Sequence, residues 1–384
     1  MTIRWEGPDA ATFVSQYWQK KPCLIRNAIA GFENLISPEE LAGLACEEDV
    51  HCRLVMQGDG AQDWSLRYGP FEERDFLDLP QSHYSLLVSE CEKWIPEFDE
   101  LLALFRFVPD WRFDDLMISY APAGGSVGPH VDQYDVFLLQ GLGQRRWLYG
   151  ESVTTDAKLL PGLDLAILES FEPDRDEILE PGDMLYLPPG YAHHGIALGP
   201  CMTYSIGFRA PTATSVLESL ALESERLGDR DRRYSDPDLS LNRHPAEITD
   251  AEIDKFRELT TRLIQDSPEL WRDAIGKMLS DSSVTAPDAA SDQPVLLSDL
   301  QACSWVRHPE TRLFFHRSET TLAVYFNGQV RELQNRPELL ELLQTLCDHR
   351  EWSNGLIQQA LRLEEMQALL LELATQNAIL PLQE

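Results

Sequence analysis

The chain has 384 residues, 43% hydrophobic and 9% aromatic, enough to build two or three domains around a sizeable core. Lys and Arg total 32 against 64 Asp and Glu, a formal net charge of −32. So acidic a surface repels phosphate backbones and anionic lipid and attracts basic partners. No apolar run approaches the roughly 20 residues that a membrane helix needs, and the first residues carry no basic-then-apolar leader. The seven cysteines, Cys23, Cys46, Cys52, Cys91, Cys201, Cys303 and Cys347, include no CxxC pair. Neither a disulfide framework nor a zinc ribbon is indicated, and a reduced, cytoplasmic protein is expected.

Residues 1 to about 110 read as mixed α/β. SPEELAGLACEED has a Ser37 N-cap, an acidic first turn and helical spacing, while CLIRNAI and HCRLVM are short apolar runs that predict strands. From Leu116 to Arg209 the texture changes: LMISYAP, GGSVGPHVDQY, VFLLQGLGQRRWLYG, EILEPGDMLYLPPGY and CMTYSIGFRAP alternate β-forming runs with Gly and Pro. That spacing predicts an antiparallel barrel or jelly roll. SVLESLALESERL, ITDAEIDKFRELTTRLIQ and PELWRDAIGKML then predict helices. DSSVTAPDAASDQP reads as a linker. In the last stretch, LAVYFNGQVREL predicts a hairpin turning at Asn327-Gly328, flanked by amphipathic helices.

The chemistry concentrates in the barrel. Residues i and i+2 of a strand face the same side, so His130 and Asp132 of HVD project together. Two histidines and one carboxylate on one face, with the remaining positions open, is the donor set of non-haem Fe(II) oxygenases. HxD alone is a weak pattern. His308 with Glu310 and His349 with Glu351 have similar spacing, but only His130 sits between a tight Gly-Pro turn and an apolar strand. A later strand must supply the third ligand. LEPGDMLYLPPGYAHHG offers His193 and His194; adjacent strand residues face opposite ways, so one of them ligates, and spacing alone does not choose. Arg146 reads as a surface ion pair. Tyr134 and Asp135 read as packing and a solvated charge, or as a frame for a substrate. Trp111 and Phe113 read as packing.

PDWRFDDLMIS, GGSVGPHVDQYDVF, QRRW, LEPGDMLYLPPG, YSIGFRAP and YSDPD together resemble the JmjC-type family of Fe(II)- and 2-oxoglutarate-dependent oxygenases, and within it the bacterial ribosomal oxygenases. The resemblance implies a mixed, mainly β protein. Its catalytic part would span residues 1–211, with a double-stranded β-helix (jelly-roll, cupin-like) core from about 112 to 211. A helical dimerisation region would follow at 212–280, then a linker at 281–295 and a winged-helix-like module at 296–384. It implies metal ligation by His130, Asp132 and His193, with His194 turned away. It also implies that the distal carboxylate of 2-oxoglutarate pairs with Arg145, fifteen residues after His130. A planar guanidinium suits that role. Ser119 and Ser205 would line the co-substrate pocket, with Tyr204 an alternative to Ser205.

The implied activity is hydroxylation of an arginine β-carbon in a large-subunit ribosomal protein, with Fe(II) as cofactor and 2-oxoglutarate and O2 as co-substrates. A homodimer and a basic ribosomal partner are expected, and no membrane partner. Residues 297–384 hold 7 Arg and no Lys against 12 Asp plus Glu, which counts against direct nucleic-acid binding. Two other readings stay open on sequence: the same chemistry on a ribosomal histidine or a methylated lysine, and a non-enzymatic metal-binding cupin.

Overall fold

The computed structural model describes residues 1–5, 9–58, 63–152, 158–162, 165–226, 233–237, 246–265, 267–281 and 295–382. The chain divides into two compact units, Met1–Ala210 and Pro211–Glu384.

The first unit contains the helices α1 (Ala10–Gln16), α2 (Pro38–Leu44), α3 (Glu73–Leu77) and α4 (Phe98–Leu102). Its strands are β1 (Cys23–Ile25), β2 (Cys52–Gln57), β3 (Trp64–Tyr68), β4 (Tyr84–Val88), β5 (Phe113–Ala121) and β6 (His130–Val131). Then come β7 (Asp135–Leu142), β8 (Arg145–Ser152), β9 (Arg175–Leu179), β10 (Met184–Leu187), β11 (Tyr191–Ala197) and β12 (Cys201–Phe208). They form an eight-stranded sheet, β1-β10-β7-β12-β5-β4-β2-β3, and a four-stranded sheet, β6-β11-β8-β9. All pairings are antiparallel. Val136, Leu138, Leu185 and Leu187 of the larger sheet meet Trp147, Tyr149 and Leu179 of the smaller one in a single cluster, which is the barrel interior. The other face of the larger sheet is covered as well. Phe137, Leu139, Tyr186, Tyr204 and Phe208 bury against Phe13 of α1, Leu41 of α2 and Leu101 of α4. Coverage on both sides explains why VFLLQGL reads as a near-continuous apolar run, not as an alternating one.

Local chemistry behaves as the sequence predicts at α2. Ser37 caps it in a full capping box with Glu40, satisfying two otherwise orphaned N–H groups. Asp135 departs from the expected solvated charge. It is fully buried and accepts from Tyr186 Oη at 2.6 Å, Arg112 Nη2 at 2.9 Å and Gln19 Nε2 at 3.0 Å. A buried carboxylate is tolerated because it is paired and fully hydrogen-bonded. Asp135 ties the barrel to the N-terminal layer and does not face the active-site opening.

The second unit carries α5 (Ala213–Glu225), α6 (Asp250–Gln265), α7 (Pro268–Ser280), α8 (Leu297–Ala302) and β13 (Trp305–Arg307). The rest comprises β14 (Leu313–Arg317), β15 (Thr321–Phe326), β16 (Gln329–Gln334), α9 (Pro337–Asp348), β17 (Glu351–Trp352), α10 (Asn354–Ala360), α11 (Glu364–Thr375) and β18 (Ile379–Pro381). The predicted hairpin is β15–β16. Asn327 and Gly328 turn with φ of 45° and 69°, the left-handed pair that such a two-residue turn requires. Helix α7 docks on this hairpin. Asp273 accepts from Tyr325 Oη at 3.0 Å and Arg272 pairs with Glu332 at 2.8 Å. A Cβ on Gly276 would fall 2.3 Å from the Tyr325 ring, so only glycine lets the helix approach this closely. The expected linker falls largely on residues 282–294, outside the described residues. Among the described residues no helix is long and apolar enough to cross a membrane.

Candidate metal centre and co-substrate site

His130 and His193 are directly opposed on the antiparallel strands β6 and β11. Their ring centroids lie 4.2 Å apart. Asp132 follows β6 and brings Oδ1 to 3.8 Å from His130 Nε2 and Oδ2 to 3.5 Å from His193 Nε2. One donor atom from each of the three lies within 4.8 Å of the others, a spacing that suits a single divalent ion. Both imidazoles have Nδ1 at 3.0 Å from a main-chain carbonyl, His130 from Gly128 and His193 from Tyr191. Each therefore carries its proton on Nδ1 and turns the Nε2 lone pair toward the shared centre. Burial and the neighbouring His130 push His193 down to about 4, so the ring stays neutral, as a ligand must be.

Backbone chemistry sets this arrangement. The Pro-Pro-Gly turn ends at Gly190, whose φ of +84° suits glycine. Its N–H donates to the Asp132 carbonyl at 2.8 Å, fastening the segment of Asp132 to the one that leads into His193. His194, the other sequence candidate, does not join the cluster; its Nε2 lies 2.9 Å from Ser126 Oγ. Burial and the neighbouring Asp132 carboxylate push the Tyr134 phenol up.

Arg145 opens β8 and is 3% exposed. Its Nη1 donates to Ser119 Oγ at 3.3 Å and its Nη2 to the Gly195 carbonyl at 3.3 Å. The guanidinium lies 5.1 Å from the Trp147 ring centroid, a cation–π distance. Its Nε has no partner, and no carboxylate pairs with it among the described residues. Burial pulls its pKa down from the ordinary value. An unpaired buried cation is costly by several kcal/mol, and an incoming anion would offset that cost. Ser119 and Ser205 share the inward face. Ser119 is opposite Thr203, and Ser205 is opposite Met117 two positions along. Only Ser119 is in hydrogen-bond contact with Arg145. Tyr204 faces the opposite layer, where its hydroxyl meets Asn34 and the Leu35 N–H. Trp147 and Gly195 escaped the sequence reading. Strand parity could have found both, since Trp147 is two residues after Arg145 and Gly195 two after His193. A Cβ on Gly195 would lie 2.6 Å from Arg145 Nε. Arg146 points outward and pairs with Asp176 at 2.7 Å.

An antiparallel barrel carrying two imidazoles, one carboxylate and a buried free guanidinium defines the class of non-haem metal oxygenases that use an oxo-acid co-substrate. A family model described as JmjC domain matches residues 100–216, and one described as ROXA-like winged helix matches residues 262–379, starting inside α6. The ribosomal protein uL16 3-hydroxylase of Escherichia coli (strain K12) is 44% identical over 285 residues, which is 73% of each chain. A probable ribosomal oxygenase of Haemophilus influenzae is 33% identical over 347 residues, 88% of this chain and 85% of that one. The structure of the Escherichia coli ribosomal oxygenase YcfD in complex with cobalt and 2-oxoglutarate superposes with a TM-score of 0.83 at 35% identity, covering 99% of both chains. The chain belongs to the JmjC family of 2-oxoglutarate-dependent ribosomal oxygenases.

Proposed function

We propose that this protein hydroxylates the β-carbon of an arginine in the large-subunit ribosomal protein uL16. One observation carries the chemistry: a buried guanidinium without an anionic partner shares the barrel interior with two imidazoles and a carboxylate. His130, Asp132 and His193 would hold Fe(II), which when bound supplies oxygen activation coupled to oxidative decarboxylation of 2-oxoglutarate. Arg145 would take the distal carboxylate of 2-oxoglutarate bidentately, with Ser119 beside it and Ser205 on the same wall. The interior apolar residues Val136, Leu138 and Leu187 exclude water from that pocket.

The substrate is supported by the relative named as a uL16 3-hydroxylase and by charge. The whole chain, at −32, attracts a free basic ribosomal protein in the cytoplasm. The same acidity disfavours nucleic acid as the partner of the winged-helix region. Incubation with uL16, iron and 2-oxoglutarate should add the mass of one oxygen atom to one arginine, with succinate released. Turnover on whole uL16 should fall with salt through the apparent KM, because salt screens charges beyond about 10 Å at 0.1 M. A short peptide from the same loop should be less salt-sensitive. Loss of methyl groups from a lysine peptide, with no arginine oxidised, would overturn the substrate and leave the oxygenase class.

A homodimer through the helices of residues 212–280 completes the reading. Leu217 and Leu222 on α5, Ile253 and Phe256 on α6, and Trp271 and Ile275 on α7 are exposed apolar side chains, which a second copy could bury. Light scattering should give twice the chain mass, and Leu217→Glu with Phe256→Glu should give the monomer. A monomeric parent protein would remove the dimer from the proposal.

A further inference from the structure

Two consecutive histidines occupy β11, and only His193 reaches the donor cluster. His194 lies on the other side of the strand, where its Nε2 is 2.9 Å from Ser126 Oγ. Ser126 is 3% exposed, and its Oγ accepts the Gly128 N–H at 3.0 Å. His194 Nε2 is thus the second hydrogen-bond partner of this buried hydroxyl. The Gly128 carbonyl accepts from His130 Nδ1 at 3.0 Å. The loop is stitched to the same strand further along, by Gly124 N–H to the Ala197 carbonyl at 2.8 Å and Ala197 N–H to the Gly125 carbonyl at 3.0 Å. Gly128 has a φ of +78°, and a Cβ there would come to 3.0 Å from Ile167, so the turn suits glycine.

We propose that His194 is a positioning residue for the metal centre, holding the His130 imidazole at its ligating rotation through Ser126 and Gly128. One histidine of the pair faces the ion directly; the other orients the opposing ligand through three hydrogen bonds. The inference rests on the reading of His130, Asp132 and His193 as ligands. Its physical basis is pre-organisation. A ligand ring whose N–H is held by a fixed carbonyl loses little freedom on binding metal, and loosening such support costs affinity. Without the imidazole, the Ser126 hydroxyl loses its buried partner and the carbonyl that orients His130 is held less firmly.

Titration of the full-length protein with Co(II), followed by visible absorption, tests this without turnover. His194→Ala and Ser126→Ala should each weaken Co(II) binding by about 10-fold. The double variant should be no weaker than either, because both act through one chain. His194→Gln offers an amide that can donate or accept at similar reach and should restore affinity close to that of the parent. A His194→Ala protein that binds Co(II) like the parent, while His193→Ala does not bind it, overturns the positioning role alone. So does a His194→Gln protein as weak as His194→Ala. Failure of the parent to bind Co(II), or undiminished binding by His193→Ala, overturns the ligand reading itself. Should His194→Ala not fold, Ser126→Ala, which removes a single hydroxyl, decides by the same outcomes.

Discussion

His193→Ala should reduce uL16 hydroxylation to background, and His130→Ala and Asp132→Ala should do the same. The three candidate donors lie within 4.8 Å of one another, so each would supply one of the three protein bonds to the proposed ion. Changes in the outer sphere of a metal site cost about 10–100-fold in affinity or activity, and loss of a ligand should exceed that. His193 is the most deeply buried of the three. Its removal leaves a cavity between His130 and Trp147, whose ring lies 5.9 Å away. Succinate release and bound Co(II) should fall together in each variant. Retention of metal by His193→Ala, with its loss in His194→Ala, would reverse the assignment of the two neighbours.

Arg145→Ala should raise the apparent KM for 2-oxoglutarate by about 10-fold or more, since a charge-assisted bidentate pair in a dry pocket is worth a few kcal/mol. The affinity for Co(II) alone should change far less, because Arg145 contacts Ser119, Gly195 and Trp147 and none of the three donors. 2-Oxoglutarate with metal should raise the Tm of the parent protein and leave that of Arg145→Ala nearly unmoved, because a ligand stabilises only in proportion to its binding. Arg145→Lys should fall between the two. It keeps the charge but loses the planar fork that reaches Ser119 and the Gly195 carbonyl together. An unchanged dependence on 2-oxoglutarate in Arg145→Ala would remove this residue from the pocket.

Much of this site is legible in the chain because strand periodicity is a local property. His130 and Asp132 share a face by their two-residue spacing alone. The glycine turns before His130 and after Pro189 announce where the backbone must bend, and Asn327-Gly328 marks its hairpin without any knowledge of partners. The family resemblance named Arg145 and His193. The composition set the electrostatic character of any partner.

Other features depended on contacts that no local pattern encodes. Alternation allowed either His193 or His194 to face inward. The pairing of His193 with His130 decided it, in a strand whose register to β8 shifts between Tyr191 and His193. Asp135 looked like a solvated charge because a carboxylate usually is one. Its burial is possible only because Arg112, Gln19 and Tyr186, all distant in sequence, converge on it. Ser119 and Ser205 were equal candidates until strand order put Ser119 within reach of Arg145. Helix α7 read as part of a separate helical region, yet Gly276 and Asp273 seat it on the β15–β16 hairpin. The sequence by itself determined which side chains point together along one strand, since backbone geometry repeats every two residues. Only the tertiary structure decided which strands lie opposite, and hence which of two neighbours joins His130 and Asp132, because register is set by packing over the whole barrel.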